Sequence, residues 1–185
     1  MVWRVADQLL KIVEYDPAWP GRFADQRGQV SAVLAPWLAG PVEHIGSTSV
    51  PGLEAKPVID MLVPVRSLDE AQDAVGVLEA DGWLFWPDDP CRHYRLWFLR
   101  PTPEARTHHL HVIEHDHRDA RALLGFRDAL RADQDLRREY ARLKKDLAGR
   151  HRGNRNAYSN AKSEFIEQAL RGAGIEPPSR SPLPE

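Results

Sequence analysis

Cysteine is almost missing from this chain. Cys91 is the only one, so neither an internal disulfide nor a cysteine-rich zinc site can be built from it. Long apolar runs are missing as well. No segment approaches the ~18 consecutive apolar residues of a membrane span, and the opening MVWRVADQLL carries no such run. A protein of a reducing compartment, cytoplasmic and without membrane contact, is therefore expected. There is no surplus of positive charge: 25 Lys and Arg stand against 27 Asp and Glu. Without a basic field or a stacking motif, nucleic acid is not an expected partner. Lysine itself is scarce, 5 residues against 20 arginines, which makes the position of each one informative. The 185 residues suit a single compact domain able to bury a core without staples.

Charge is segregated along the chain. Residues 1–115 carry 10 basic and 16 acidic side chains, whereas 116–171 carry 14 and 9. A basic back half suits an anionic ligand, and it equally suits solvated helix faces. Hydrophobic periodicity changes at the same place. The front half predicts strands at 11–15, 42–45, 57–65, 83–86, 94–99 and 107–114, with an amphipathic helix over 17–38 and a second helix introduced by the capping-box spacing Ser67-Leu-Asp-Glu70 and ended at Gly82. From Asp119 the apolar residues recur at helical intervals, predicting helices at 119–132, 135–150 and 157–172. Strands first and helices afterwards predict an α+β fold, a mixed sheet with flanking helices and a helical C-terminal half. Residues 1–174 form the expected domain; 175–185, with four prolines, form a tail expected to be disordered or draped on the surface.

The densest chemistry lies in His44-Ile-Gly-Ser-Thr-Ser-Val-Pro-Gly-Leu-Glu-Ala-Lys-Pro-Val-Ile-Asp60. Gly46 permits close approach of a phosphate to backbone N–H groups, and Ser47, Thr48 and Ser49 offer hydroxyls. Asp60 interrupts an apolar strand, where a carboxylate is costly unless paired, hydrogen-bonded or bound to a cation. It either holds a metal ion or substrate, or accepts hydrogen bonds from the Gly-Ser loop. Farther on, Thr107-His-His-Leu-His-Val-Ile-Glu114 puts His109 and His111 on one strand face. Such a pair can ligate a metal with Asp60, contact an anion, or satisfy local hydrogen bonds. His44 is a weaker candidate for ligand contact. Lys56 and Lys162 can reach a phosphate or simply be solvated; Tyr158 lies one turn before Lys162 on the same helix face. Arg95, Arg127 and Arg131 are further anion candidates.

A Gly-Ser pair ahead of a carboxylate-bearing strand resembles the nucleotidyltransferase superfamily. There two alternating carboxylates hold divalent ions that bridge nucleotide phosphates; here Asp60 is followed by Leu62 at the second position. A fuller resemblance is carried by His44 to Leu53, Ala55-Lys-Pro-Val-Ile-Asp60, Thr107-His-His-Leu-His-Val112, Phe126-Arg-Asp-Ala-Leu-Arg131 and Tyr158-Ser-Asn-Ala-Lys162 with Phe165-Ile166. Together they resemble the GrpB family, a branch of the nucleotidyltransferase fold whose relatives are also appended to some dephospho-CoA kinases. The resemblance spans residues 13–170. It implies a nucleotide or other phosphate-bearing small molecule as ligand. Asp60, Lys56 and Lys162 are then the candidate catalytic residues. The candidate phosphate contacts are His44, Gly46, Ser47, Thr48, Ser49, Arg95, Arg127 and Tyr158, and the candidate metal ligands are Asp60, His109 and His111. The ion would be Mg²⁺ carried with nucleotide, or Zn²⁺ or Mn²⁺ held through histidine. Loss of the second carboxylate leaves two alternatives open: a binding module without chemistry, and a His/Asp metal-dependent enzyme acting on a small molecule.

Overall fold

The computed structural model describes residues 11–179 and 181–184; the MVWRVADQLL stretch lies outside them. Five strands form one mixed sheet: β1 (Glu43–Ile45), β2 (Ile59–Val65), β3 (Leu84–Phe85), β4 (Arg95–Arg100) and β5 (His108–Glu114), in the order β1-β2-β5-β4-β3. Only β2 and β5 run parallel; the other neighbours are antiparallel. The fold is the expected α+β arrangement. Among the described residues six α-helices accompany the sheet: α1 (Trp19–Val33), α2 (Ala74–Ala80), α3 (Arg118–Ala132), α4 (Gln134–Arg150), α5 (Arg155–Asn160) and α6 (Ser163–Gly172).

Strand alternation divides the apolar residues between two layers. Ile59, Met61, Val63 and Val65 of β2, Leu110 and Val112 of β5, and Leu96 and Phe98 of β4 pack with Trp19 and Val30 of α1 and Leu78 of α2 in the main core. On the opposite face Ile45, Leu62 and Ile113 meet Ala120, Leu123 and Leu124 of α3. Burying each large apolar side chain in these layers contributes about 1.5–3 kcal/mol relative to exposure. The remainder of that second face, at the N-terminal ends of the two parallel strands, is where Asp60, His109 and His111 lie.

Several boundaries differ from those expected, each for a local reason. The segment 11–15 makes a single bridge, Val13 to Ala55, instead of a strand. The first helix ends at Val33 rather than Leu38, because Pro36 disfavours helical backbone at the residue before it. The Ser67 hydroxyl does accept from the Glu70 N–H at 3.3 Å, but what it opens is a 3₁₀ turn, Glu70–Asp73, ahead of the short α2. The last expected helix is broken at Ala161–Lys162 into α5 and α6. The sharp turn from α3 to α4 needs only Asp133, whose carboxylate accepts from the N–H groups of Asp135 and Leu136 at 2.8 and 3.0 Å. In the tail, the Asn160 amide exchanges two 2.9 Å hydrogen bonds with the backbone of Leu183, and Pro178 is buried.

Candidate functional site

Parallel pairing of β2 with β5 sets Asp60 opposite His109 and Leu62 opposite His111. Residues paired in this way share a face, so the carboxylate and both imidazoles converge. His109 Nδ1 lies 2.9 Å from Asp60 Oδ1, and His111 Nε2 lies 3.5 Å from the same oxygen. One ligand atom from each of the three residues falls within 4.8 Å of the others. Leu62, two residues beyond Asp60 on the same face of β2, is 1% exposed in the α3 layer. The two parallel strands thus present an across-strand set of one carboxylate and two imidazoles.

The surroundings decide the protonation states. Burial would push the Asp60 carboxyl up, but hydrogen bonds from His109 and His111 hold it well below the usual range. Burial pushes His109 down to about 4 and lowers His111 also. Two neutral imidazoles therefore donate to an ionised carboxylate. Arg95 strengthens this assignment. Its guanidinium is held by Asp89 at 2.6 and 2.8 Å and extends NH1 to His111 Nδ1 at 3.3 Å. Guanidinium can only donate, so Nδ1 of His111 accepts and Nε2 carries the proton toward Asp60. The outer nitrogen of His109, Nε2, is buried with no hydrogen-bond partner among the described residues, beside Trp97, whose ring stands edge-on 5.1 Å away.

Gly46 closes the site from β1. It adopts φ +69°, and a Cβ there would stand 2.5 Å from Asp60 Oδ2. A glycine is required on both counts: left-handed backbone and contact of the loop with the carboxylate. The hydroxyls that follow mostly serve the loop. Ser49 Oγ donates to the Gly46 carbonyl at 2.6 Å, and Thr48 Oγ1 donates to the Val58 carbonyl at 3.1 Å while pairing with His44 Nε2 at 3.0 Å. Ser47 is the exception, bonded to the buried Tyr140 hydroxyl.

The loop before β2 and the helical half contribute cations. The Lys56 and Lys162 ammonium groups lie 4.9 and 4.2 Å from the Tyr158 ring centroid, and Lys144 lies 4.9 Å from that of Tyr140 while donating to the Glu54 carbonyl. Among the described residues, neither Lys56 nor Lys162 has an ion-pair partner, although both feel the Asp60 charge. Burial, and then repulsion from Lys162, lowers Lys56 to about 7 and Lys144 to about 7; burial lowers Lys162 to about 8. Arg155 and Arg106 add to the positive field at Lys56.

Of the residues expected in one pocket, the structure brings together Asp60, His109, His111, Gly46, Ser47, Lys56, Lys162 and Tyr158. Arg95 joins them as a partner of His111. His44 is on the other face of the sheet, stacked on Phe23 at 4.6 Å. Thr48 and Ser49 are committed to the loop. Arg127 of α3 donates to Glu43 at 2.7 Å and to the His44 carbonyl at 3.1 Å, bracing the loop rather than facing Asp60. Arg131 likewise holds the Ser49 carbonyl at 3.1 and 2.8 Å. Lys144, Tyr140, Arg106 and Arg155 were not singled out by sequence; the scarcity of lysine was the one signal that pointed to Lys144.

Comparison with known proteins accords with this architecture. The pattern of the family described as GrpB protein matches residues 9–171. A UPF0157 protein of Pseudomonas aeruginosa is 40% identical over 168 residues, covering 89% of this chain and 67% of the relative. A dephospho-CoA kinase of Mycolicibacterium paratuberculosis is 28% identical over 193 residues, 92% of this chain but 47% of that protein. The crystal structure of the conserved protein GrpB from Enterococcus faecalis superposes with a TM-score of 0.79 at 32% identity, covering 88% of this chain and 96% of the other. A matched pattern over most of the length, a relative this similar and the same fold together assign the chain to the GrpB family.

Proposed function

We propose that the chain binds a phosphate-bearing small molecule of the nucleotide class against the Asp60 face of the sheet, and acts on it in nucleotidyltransferase-like fashion. The observation that carries this reading is the pair Lys56 and Lys162, two half-buried ammonium groups over one tyrosine ring, with no ion-pair partner among the described residues. Cations so placed repel one another, and an anionic ligand relieves both that repulsion and the desolvation that lowers them. Phosphate oxygens would sit between the two ammonium groups. Asp60, kept ionised by its imidazole donors, would face the reacting end. Such a site works by positioning and electrostatic stabilisation. The likeness to a protein named dephospho-CoA kinase supports a phosphate-bearing ligand.

Asp60, His109 and His111 are the residues that would hold a divalent ion, which when bound would polarise a phosphate oxygen. Their spacing fits one. Two nitrogens and one oxygen suit Zn²⁺ or Mn²⁺; Mg²⁺ prefers oxygen donors, which the ligand's own phosphates would have to supply. The buried Leu62 favours a second reading, a binding module of the same fold that has lost transfer chemistry.

Calorimetric titration of the wild type, Asp60→Asn and Lys162→Gln with Mg²⁺, Zn²⁺ and ATP tests the assignment. Loss of the metal-dependent heat in Asp60→Asn and weakened ATP binding in Lys162→Gln are expected. Identical isotherms for all three proteins would remove the site. ATP binding without turnover or transfer to any acceptor would leave the binding-module reading.

A further inference from the structure

The far side of the Gly46–Ser49 loop carries a second cleft, of about 320 Å³. Its walls come from three places in the chain. Phe23 and Arg27 project from α1, Glu43 and His44 from β1, and Arg127 and Arg131 from α3. The Phe23 ring lies parallel to the His44 imidazole, 4.6 Å between centroids at an interplanar angle of 11°. Arg27 stands 5.7 Å from the Phe23 centroid. Burial lowers His44 to about 4, so this stacked pair is a neutral aromatic wall.

The three guanidinium groups are not equally engaged. Arg127 is paired with Glu43 and with Asp128, both at 2.7 Å. Arg131 donates from Nε and one terminal nitrogen to the Ser49 carbonyl, with Asp128 at 3.6 Å from the other, and its side chain is 40% exposed. Arg27 is exposed and makes no ion pair among the described residues. The cleft therefore combines a flat apolar wall with two guanidinium forks that still have donors to give. Guanidinium forks match the paired oxygens of carboxylate and phosphate. A volume near the lower end of the usual ligand range admits one ring and its charged substituent.

We propose that this cleft is a second ligand site, taking a small oxyanion carried on a planar ring, with the ring on the Phe23–His44 wall and the oxyanion between Arg27 and Arg131. It does not depend on the reading of the Asp60 site, from which the loop separates it. Occupation of the cleft is nevertheless felt there. Arg131 holds the Ser49 carbonyl, three residues from the glycine that touches Asp60, so a ligand that recruits Arg131 competes with the bond that seats this loop.

The test is a titration of the full chain with phenyl phosphate, followed by backbone amide shifts and by calorimetry, with inorganic phosphate and benzyl alcohol as the two half-ligands. Saturable phenyl phosphate binding is expected, with shifts centred on Phe23, Arg27 and His44. Each half-ligand should bind at least tenfold more weakly. Arg27→Gln and Arg131→Gln should each weaken phenyl phosphate about tenfold, the ratio expected for a lost charged hydrogen bond. Arg27 makes no hydrogen bond or ion pair among the described residues, so its variant remains informative if Arg131→Gln loosens the loop. Lys162→Gln should leave this binding unchanged. Absence of saturation by about 10 mM would overturn the proposal. So would equal binding by inorganic phosphate, or binding that Lys162→Gln abolishes and Arg27→Gln spares.

Discussion

Replacing Gly46 by alanine should destabilise the protein through two separable terms. The backbone there, φ +69° and ψ −175°, lies in a region nearly restricted to glycine, and holding alanine in it costs about 1–3 kcal/mol. The added methyl would also stand 2.5 Å from Asp60 Oδ2. The carboxylate must then move and give up its 2.9 Å bond to His109, a charged hydrogen bond contributing about 1.5–3 kcal/mol. The sum is roughly 2.5–6 kcal/mol. At about 2–4 °C per kcal/mol for a domain of this size, the melting point should fall by roughly 5–24 °C. A double-mutant cycle separates the terms. In an Asp60→Ala background the oxygen is gone and only a 3.1 Å contact with Cβ remains, so Gly46→Ala should cost little beyond its backbone strain. Urea unfolding of the four proteins should give a coupling of about 1.5–3 kcal/mol. Additivity within about 0.5 kcal/mol would show that the loop does not bear on Asp60, and the close-approach argument would fail.

Further expectations concern charge. Between the lowered values of Lys56 and Lys144, about 7, and the ordinary 10.5, the unfolded chain binds protons that the folded protein does not. Stability should therefore rise with pH across that window, with the full penalty present below it; Lys56→Met should flatten the curve, and a melting point falling over the window in the wild type would contradict the cluster. If phosphate binds between Lys56 and Lys162, its binding at pH 8 should take up protons, so the calorimetric enthalpy should change with the buffer's ionisation heat; an enthalpy independent of buffer would speak against it. Arg95→Gln should raise affinity for Zn²⁺ about 10–100-fold, because the glutamine oxygen can accept a hydrogen bond from a protonated His111 Nδ1 and so leave Nε2 free for the metal, whereas the guanidinium can only donate. Unchanged zinc affinity would mean that His111 does not ligate.

The sequence exposes some of this site and hides the rest for identifiable reasons. Asp60 stands out because a lone carboxylate among Val58, Ile59, Met61 and Leu62 has no cheap structural explanation. His109 and His111 share a face by strand alternation alone. Their meeting with Asp60 depends on which strands pair and in what register, and a parallel pairing between distant strands leaves no local mark. The arginines are ambiguous in a different way. A guanidinium reads as an anion ligand wherever it stands, yet Arg95 is held by Asp89, and Arg127 by Glu43, 84 residues away. Arg155 carries no mark in the sequence, and Lys144 carries only the scarcity of lysine, because the positions of both depend on how the C-terminal helices pack. Elements with strong periodicity, such as α3 and α4, were readable nearly to their ends; the break at Ala161–Lys162 was not, since the apolar spacing runs straight through it.

The separation between Asp60 and His109, 49 residues, has a kinetic consequence. Between them the chain leaves β2, forms α2, runs out to the sheet edge as β3 and returns as β4 before β5 closes beside β2. Closing so long a loop costs entropy before the pairing returns anything. Asp60 and His109 thus meet only when the central strands have already joined, and no fragment ending before β5 can contain the set. A ligand or metal that requires both residues recognises only molecules whose central pairing is complete. Its stabilising effect should therefore appear in global unfolding and in exchange of the β2 and β5 amides, while fraying of β3 at the sheet edge goes on unaltered.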